Sequence, residues 1–452
     1  MRDMKSIEIC HHFKDFHQKQ GFVPLPRAPM LHSSIPMSFV MSAGLVQIET
    51  ALAQNKYQSG DKFLLIQECF RHFDLNRIGK DDIHLTLFEM PAVFAFGAIN
   101  QFETVHRMWT LVTAVLGINR EKIWASYFEG GKVDGCTLPP DQKTFEAWCK
   151  TDIPKSHIVG LGVKESYWIQ GGGIEKQETL RKCGPHTELF YDRGDERGCG
   201  PLCKPGCRCG RFVEFSNSLF ISHTINSENG NIAPMDVPFT ESVIGTERIA
   251  FILQKTTSVF TTDRCEPILY AIRGFDYKNS LSISQIRFSE NVIVDHMRAL
   301  VFLVAEGAPP PGKNGRERII KLLIRKTLTQ LLILGIKPTE FFPVLIDCVA
   351  QTFADILTVT SEQKNRLNSY LKTESHRFSN TVSAGRRRLL KLLSGNGDDA
   401  LSGLEVLSLE KRHGMPSLLT REVLREKGMS FPEAEYQACL TAWKQGVLEL
   451  EV

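Results

Sequence analysis

Apolar and polar positions run in short blocks or alternate through about the first 280 residues, then settle into helical spacing. The most organised stretch lies between Leu64 and Gly97. An apolar run, Phe63 to Ile66, leads into Phe70-Arg71-His72-Phe73; a polar loop, Asn76 to Asp82, separates it from a second run carrying Phe88-Glu89-Met90 and Phe94-Ala95-Phe96. Two β-like runs around a charged loop containing Gly79 predict an antiparallel hairpin. Arg71 reads as lying inside the first strand, where a lone charge is costly unless it meets an anion. Its planar fork suits a phosphate or carboxylate, and Phe88 on the return strand offers a flat ring beside it. Taken alone, the stretch equally describes an edge strand with one exposed Arg.

Elsewhere, Ser6 to Lys19 spaces Ile7, Ile9, Phe13 and Phe16 like a helix that Gly21 closes. Pro24 and Pro26 forbid a helix next. Phe39 to Gln47 predicts a buried strand and turn, Gln101 to Leu116 a helix, Ile123 to Phe128 a strand and Pro139 to Cys149 another helix. Trp168 precedes Gly171, Gly172 and Gly173, a setting that ordinarily means core packing. Arg211 to Ile221 alternates like a strand, and Thr240 to Gln254 reads as a strand and Gly turn opening into a helix. Beyond residue 281, helices are predicted over 291–305, 317–334 and 340–358, separated by Gly and Pro. The expectation is an α+β domain over residues 1–280 and an all-α domain over 281–452.

Composition adds limits. The chain has 452 residues, 42% hydrophobic and 23% charged, which fits a soluble globular protein of two or three domains. A net charge of +3 announces no nucleic-acid binder globally, so any basic surface must be local. Such patches lie at Lys313, Arg316, Arg318, Lys321, Arg325 and Lys326, and at Arg386 to Arg388 with Lys391. They fit either phosphate contacts or a solvated helix face. No apolar run approaches a membrane span and no signal-peptide core follows Met1, so a cytoplasmic location is expected, with twelve cysteines as thiols or metal ligands. Four of these, Cys199, Cys203, Cys207 and Cys209, fall within eleven residues as C-x3-C-x3-C-x-C among Gly and Pro. Four thiolates on a short loop suit a closed, structural tetrahedral Zn2+ site. Cys183 and His186 are spare ligands, and the alternative is a Cys-rich insertion without metal.

The hairpin around Arg71 resembles motif 2 of class II aminoacyl-tRNA synthetases of the alanyl type, and the resemblance covers nearly the whole chain. It implies an antiparallel class II sheet flanked by helices, then a helical tRNA-recognition domain. It implies ATP and Mg2+ as cofactors and alanine or a related small amino acid and tRNA as partners, in a monomer or homodimer. By the resemblance, Arg71 holds the α-phosphate and amino-acid carboxylate, Phe88 stacks on adenine, Glu89 belongs to the ATP site, and Arg248 clamps the outer phosphates. Trp168, Glu214, Asn217 and Glu241 would then line the amino-acid pocket, and Lys313, Asn314, Arg316 and Lys411 the tRNA surface.

Several positions depart from the family pattern. Ser42 stands for an Asn, Ser216 for a Trp, Glu241 for an Asp, Val243 for a Gly and Lys411 for an Asp. A Lys binds phosphate but cannot accept a hydrogen bond from guanine's amino group. The family's editing domain would lie beyond Val452, so leakage of glycine and serine is expected. The leading expectation is therefore an alanine–tRNA ligase-like enzyme. The others are a paralogue with a non-tRNA acceptor and a non-catalytic RNA- or amino-acid-binding regulator.

Overall fold

The computed structural model describes residues 3–44, 46–48, 57–133, 135–171, 180–226, 228–278, 280–395 and 401–450. They divide into two compact units, residues 1–267 and 268–452, and the class is α+β. Leu45, Gly172 and Gly173 of the stretches read above lie outside the described residues.

The first unit is built on a sheet of nine strands among the described residues. They are β1 (Val23–Pro24), β2 (Lys62–Phe70), β3 (Leu87–Phe96), β4 (Ile123–Phe128), and, after a separate small hairpin of β5 (Gly131–Val133) and β6 (Cys136–Leu138), β7 (Ile158–Leu161), β8 (Tyr167–Ile169), β9 (Leu180–Asp192), β10 (Phe212–Asn226) and β11 (Ile232–Ile244). The order is β1-β2-β3-β11-β10-β9-β4-β7, with β8 also on β9. The centre is antiparallel, but β1 lies parallel to β2 and β4 parallel to β7, so the sheet is mixed rather than wholly antiparallel. Long connections rather than tight turns join each parallel pair, which frees their direction.

The predicted hairpin is β2 and β3, in unbroken register from Lys62 opposite Ala95 to Phe70 opposite Leu87. Arg71 is not inside the strand: it is the first residue past β2, extended, and opens a tight turn over His72–Asn76. Its N–H still donates to Thr86 O at 2.8 Å, so its side chain follows the alternation of Cys69 and Phe88.

The described residues of 39–47 form no strand. Phe39 and Val40 are buried, but Val40 N–H donates to Met30 O and Val40 O accepts from Phe70 N–H. Gly44, at φ +71, turns the chain where a Cβ would collide with the Phe94 ring, so this segment crosses the sheet face instead of extending it. Ala43 and Ile48 thereby join Leu65, Cys69, Met90, Ala92, Phe94 and Val243 in one core cluster.

Helices α1 (Ser6–Gln18), α2 (Gln101–Thr110) and α4 (Thr246–Leu253) cover the opposite face; α3 (Gln142–Cys149) packs on α2. Asn100 caps α2 through Glu103 N–H, and Asp141 caps α3 through Thr144 N–H, so α3 starts after the Pro139-Pro140 pair. Past Thr110 the helical path widens into a π turn over Leu111–Val115. Ser216, Ser218, Ser242 and Ile244 point at these helices, with Ser218 and Ser242 hydroxyls 2.7 Å apart and Ser218 meeting Met108.

The second unit is helical: α5 (Ile283–Ala305), α6 (Gly315–Leu334), α7 (Pro338–Thr352), α8 (Ser361–Gly395), α9 (Gly403–Lys411), α10 (Ser417–Glu426) and α11 (Glu433–Lys444). Ser282 and Gln285 cap α5 reciprocally, and Gly335 at φ +85 closes α6. The helix read as far as 358 stops at Thr352. No helix among the described residues is long and apolar enough to cross a membrane.

Candidate active site

Residues on the face away from these helices can be read from the pairing, because directly opposite residues share a face. Phe88, Met90, Ala92 and Phe94 of β3 share it with Glu241 and Val243 of β11, Asn217 and Leu219 of β10, and His186 and Glu188 of β9. Arg71 lies against this face, its guanidinium carbon 4.9 Å from the Phe88 ring centroid. Its Nε donates to Met41 O at 3.1 Å, and no ion pair to it occurs among the described residues. The stack and the carbonyl fix the direction of the fork and leave its terminal nitrogens for an anion.

A second cluster stands at the same end of the sheet. β11 runs out at Ile244, opposite Ser216, and Gly245 turns the chain into α4, whose first turn carries Arg248. Arg248 Nη1 donates to Glu214 O at 2.7 Å and meets Glu214 Oε2 at 3.2 Å; Asn217 Nδ2 donates to Glu214 Oε1 at 3.3 Å. Glu214 and Asn217 are three apart and would point to opposite faces of a regular strand. The register against β9 slips between Glu214 and Ser216, so Phe215 is a bulge that turns Glu214 onto the face of Asn217.

Glu188, opposite Asn217, adds a second carboxylate, with His186 Nε2 3.4 Å from it. Burial first and the neighbouring Glu214 charge second push the Glu188 carboxyl up. Sequence reading missed Glu188, although its place two residues after His186 in an alternating strand was visible. Two neighbouring carboxylates are hard oxygen donors suited to Mg2+, so Glu188 and Glu214 fit that ion. Trp168 faces Gly184 across the β8–β9 pair and packs half-buried on the same core cluster; Glu241 sits between Phe94 and Leu219.

Glu89 goes elsewhere. It follows Phe88 in the strand and so turns to the helix-covered face, opposite Glu68. Its Oε1 accepts the Cys10 thiol at 2.7 Å, and its N–H donates to the Glu247 carboxylate. Burial, with Glu247 and Glu68 nearby, raises its carboxyl to about 7. A carboxyl raised in the fold is no burden below its unfolded value of about 4.3, and costs progressively more stability up to about 7, then a constant amount above. Glu89→Gln keeps the acceptor for Cys10 and removes that burden. Thermal melts should show it level with wild type at pH 4 and more stable at pH 8, by an amount on the order of 1–3 kcal/mol. Equal melting curves at both pH values would exclude the buried acid.

Cys199, Cys203 and Cys207 bring their sulfurs within 4.8 Å of one another, and Cys209 Sγ lies 3.4 Å from Cys203 Sγ. Cys183 is instead buried, hydrogen-bonded to Tyr167, and His186 faces the sheet cluster, so neither joins them.

In the helical unit, Lys313 and Asn314 are exposed at the start of α6 and Arg316 is half-buried. Lys411 ends α9, paired to Glu410 at 2.7 Å with its ammonium over the Trp443 ring. Arg325 is tied to Glu374.

A family model described as tRNA synthetases class II (A) matches residues 8–446. The alanine–tRNA ligase of Alkaliphilus metalliredigens (strain QYMF) is 28% identical over 443 residues, covering 97% of this chain and 48% of that protein. The alanine–tRNA ligase of Thermoanaerobacter sp. (strain X514) is 29% identical over 450 residues, covering 96% and 48%. The chain thus spans about half the length of the curated relatives it matches. Among solved structures, the pyrrolysyl-tRNA synthetase of Desulfitobacterium hafniense matches 57% of this chain and 72% of its own, at 12% identity and a TM-score of 0.32.

Proposed function

The chain belongs to the class II (A) tRNA synthetases, and on that premise we propose that it activates alanine or a close small analogue with ATP and passes the aminoacyl group to tRNA. The observation that carries this reading is the pairing of two guanidinium sites at one end of one sheet face. Arg71 is stacked on Phe88, and Arg248 is braced by Glu214, which Asn217 also hydrogen-bonds.

In the proposed reaction the amino-acid carboxylate attacks the α-phosphorus of ATP in line. The bond to the bridging oxygen breaks, giving aminoacyl-AMP and pyrophosphate. Arg71 neutralises charge at the α-phosphate, Phe88 carries adenine, and Arg248 binds the leaving pyrophosphate. Mg2+, held by Glu188 and Glu214, would supply further charge neutralisation on the phosphates. Asn217 and Glu241 face the amino-acid end, where a carboxylate suits the α-ammonium. Val243 fills the floor between Asn217 and Ala92 and limits side-chain room. No side-chain nucleophile is required, because positioning and electrostatics do the work. The acceptor ribose hydroxyl then attacks the carbonyl and releases AMP. Lys313, Asn314, Arg316 and Lys411 are the proposed tRNA contacts, on a helical domain that begins near residue 281, and the expected compartment is the cytoplasm.

A second reading, transfer to a non-tRNA acceptor, is favoured by Lys411, whose ammonium is occupied by Glu410 and Trp443 and accepts no hydrogen bond from a base. The deciding experiment is amino-acid-dependent ATP–pyrophosphate exchange over all standard amino acids, followed by tRNA charging. Alanine-dependent exchange with charging supports the first reading. Exchange without charging supports the second, and no exchange with any amino acid overturns both.

A further inference from the structure

We propose that Cys199, Cys203, Cys207 and Cys209 bind one Zn2+ as a closed tetrathiolate site, and that this knuckle holds the Asp82 loop in place. A tetrahedral ion with Zn–S bonds of about 2.3 Å requires S···S separations near 3.8 Å. Three of the sulfurs lie within 4.8 Å of one another, and the fourth is 3.4 Å from Cys203, so a shift of Cys209 toward the other three closes the shell. An iron–sulfur cubane would spread its cysteines much further apart, which favours a single ion.

The backbone is shaped for it. Gly200, Gly206 and Gly210 take φ values of +137, +95 and +84, and turn bonds run from Cys203 N–H to Gly200 O and from Cys207 N–H to Lys204 O. Cys203 also packs on the Leu161, Phe190 and Phe212 cluster, which anchors one ligand in the core.

The base of the knuckle is a charged clasp. Arg211 grips Asp192 through Nε at 2.8 Å and Nη2 at 2.7 Å, and also meets Asp195. Arg193 Nη2 donates to Asp82 Oδ2 and to Thr257 O, both at 3.2 Å, and Arg197 lies 3.6 Å from Asp82. Asp82 belongs to the loop between Arg71 and Phe88. A metal that fixes residues 199–209 therefore fixes the two arginines that reach this loop.

Neither the metal nor its hold on the loop depends on catalysis. The full chain, purified under reducing conditions, should hold one zinc per chain by elemental analysis. Cobalt replacement should give the intense visible bands of a tetrahedral thiolate site. Cys207→Ser and Cys209→Ser should each lose most of the metal, while Cys439→Ser keeps it. Chelation should raise hydrogen exchange at least several-fold in residues 195–213 and also in 76–86. A metal-free chain without cobalt–thiolate bands, iron with labile sulfide, or full zinc in both cysteine variants would overturn the site. Unchanged exchange in 76–86 after zinc removal would overturn the hold on the loop.

Discussion

Arg71→Ala should lower alanine-dependent ATP–pyrophosphate exchange by about 10³-fold in kcat/KM while leaving the fold intact. The size follows from what a preorganised cation contributes to a transition state in which charge builds on the α-phosphate: one such donor is worth about 10²–10³-fold. Arg71 belongs at the upper end because its direction is fixed twice, by the Met41 carbonyl and by the Phe88 ring. Arg71→Lys should recover little, since an ammonium replaces a planar fork with a point charge and loses the stack. The far-UV spectrum and melting temperature should stay near wild type, because the side chain is half-exposed just past the end of β2. Near-normal exchange in a folded Arg71→Ala protein would remove Arg71 from the site.

Gly184→Ala should be the most damaging single methyl in the first unit. Gly184 lies in β9 beside the point where β10 slips its register between Leu219 and His223. The slipped strand brings the Phe220 carbonyl onto the place a Cβ would occupy, with Phe220 C 2.8 Å away. A side-chain tip can swing aside; a backbone carbonyl in the middle of a sheet cannot, unless the bulge itself moves. Overpacking of this kind costs about 3 kcal/mol, the upper end of the usual range, which corresponds to a fall in melting temperature on the order of 5–10 °C. Trp168 faces Gly184 across the strand pair, so the shifted strand would carry it too. Gly162→Ala is the control: its Cβ would meet nothing closer than 3.8 Å, and its melting temperature should barely change. Equal melting of the Gly184→Ala and wild-type proteins would mean that the bulge is not rigid.

Much of this architecture can be read from the chain before any coordinates. Two apolar runs around a charged loop located the β2–β3 hairpin, helical spacing located α1, α5 and α6, and glycine-punctuated cysteines located a loop whose sulfurs converge. What could not be read is set by register. The meeting of Glu214 with Asn217 depends on a bulge at Phe215 that no local pattern spells. Glu89 is adjacent to Phe88 in sequence, which invited both into one site, yet strand alternation sends it to Cys10 on the other face. Phe39 to Gly44 is apolar because it lies across a sheet, not because it is part of one, and composition alone does not separate the two.

The long reach of the central pairing has a temporal consequence. β3 accepts β11 as its neighbour, so residues 92–96 wait for residues 239–243. During synthesis the hairpin of 62–96 emerges with one flank of backbone donors and acceptors unmet, and that flank is apolar on the face of Phe94. Pairings this distant in sequence are slow to form, and open strand flanks attract other chains while they wait. Arg71 and Phe88 are thus made early, but Arg248 joins them at that end of the sheet only after the ribosome has passed residue 248. Until then the half-built sheet is the form most exposed to aggregation, so slowing translation between residues 97 and 239 should lower soluble yield more than slowing it after residue 268.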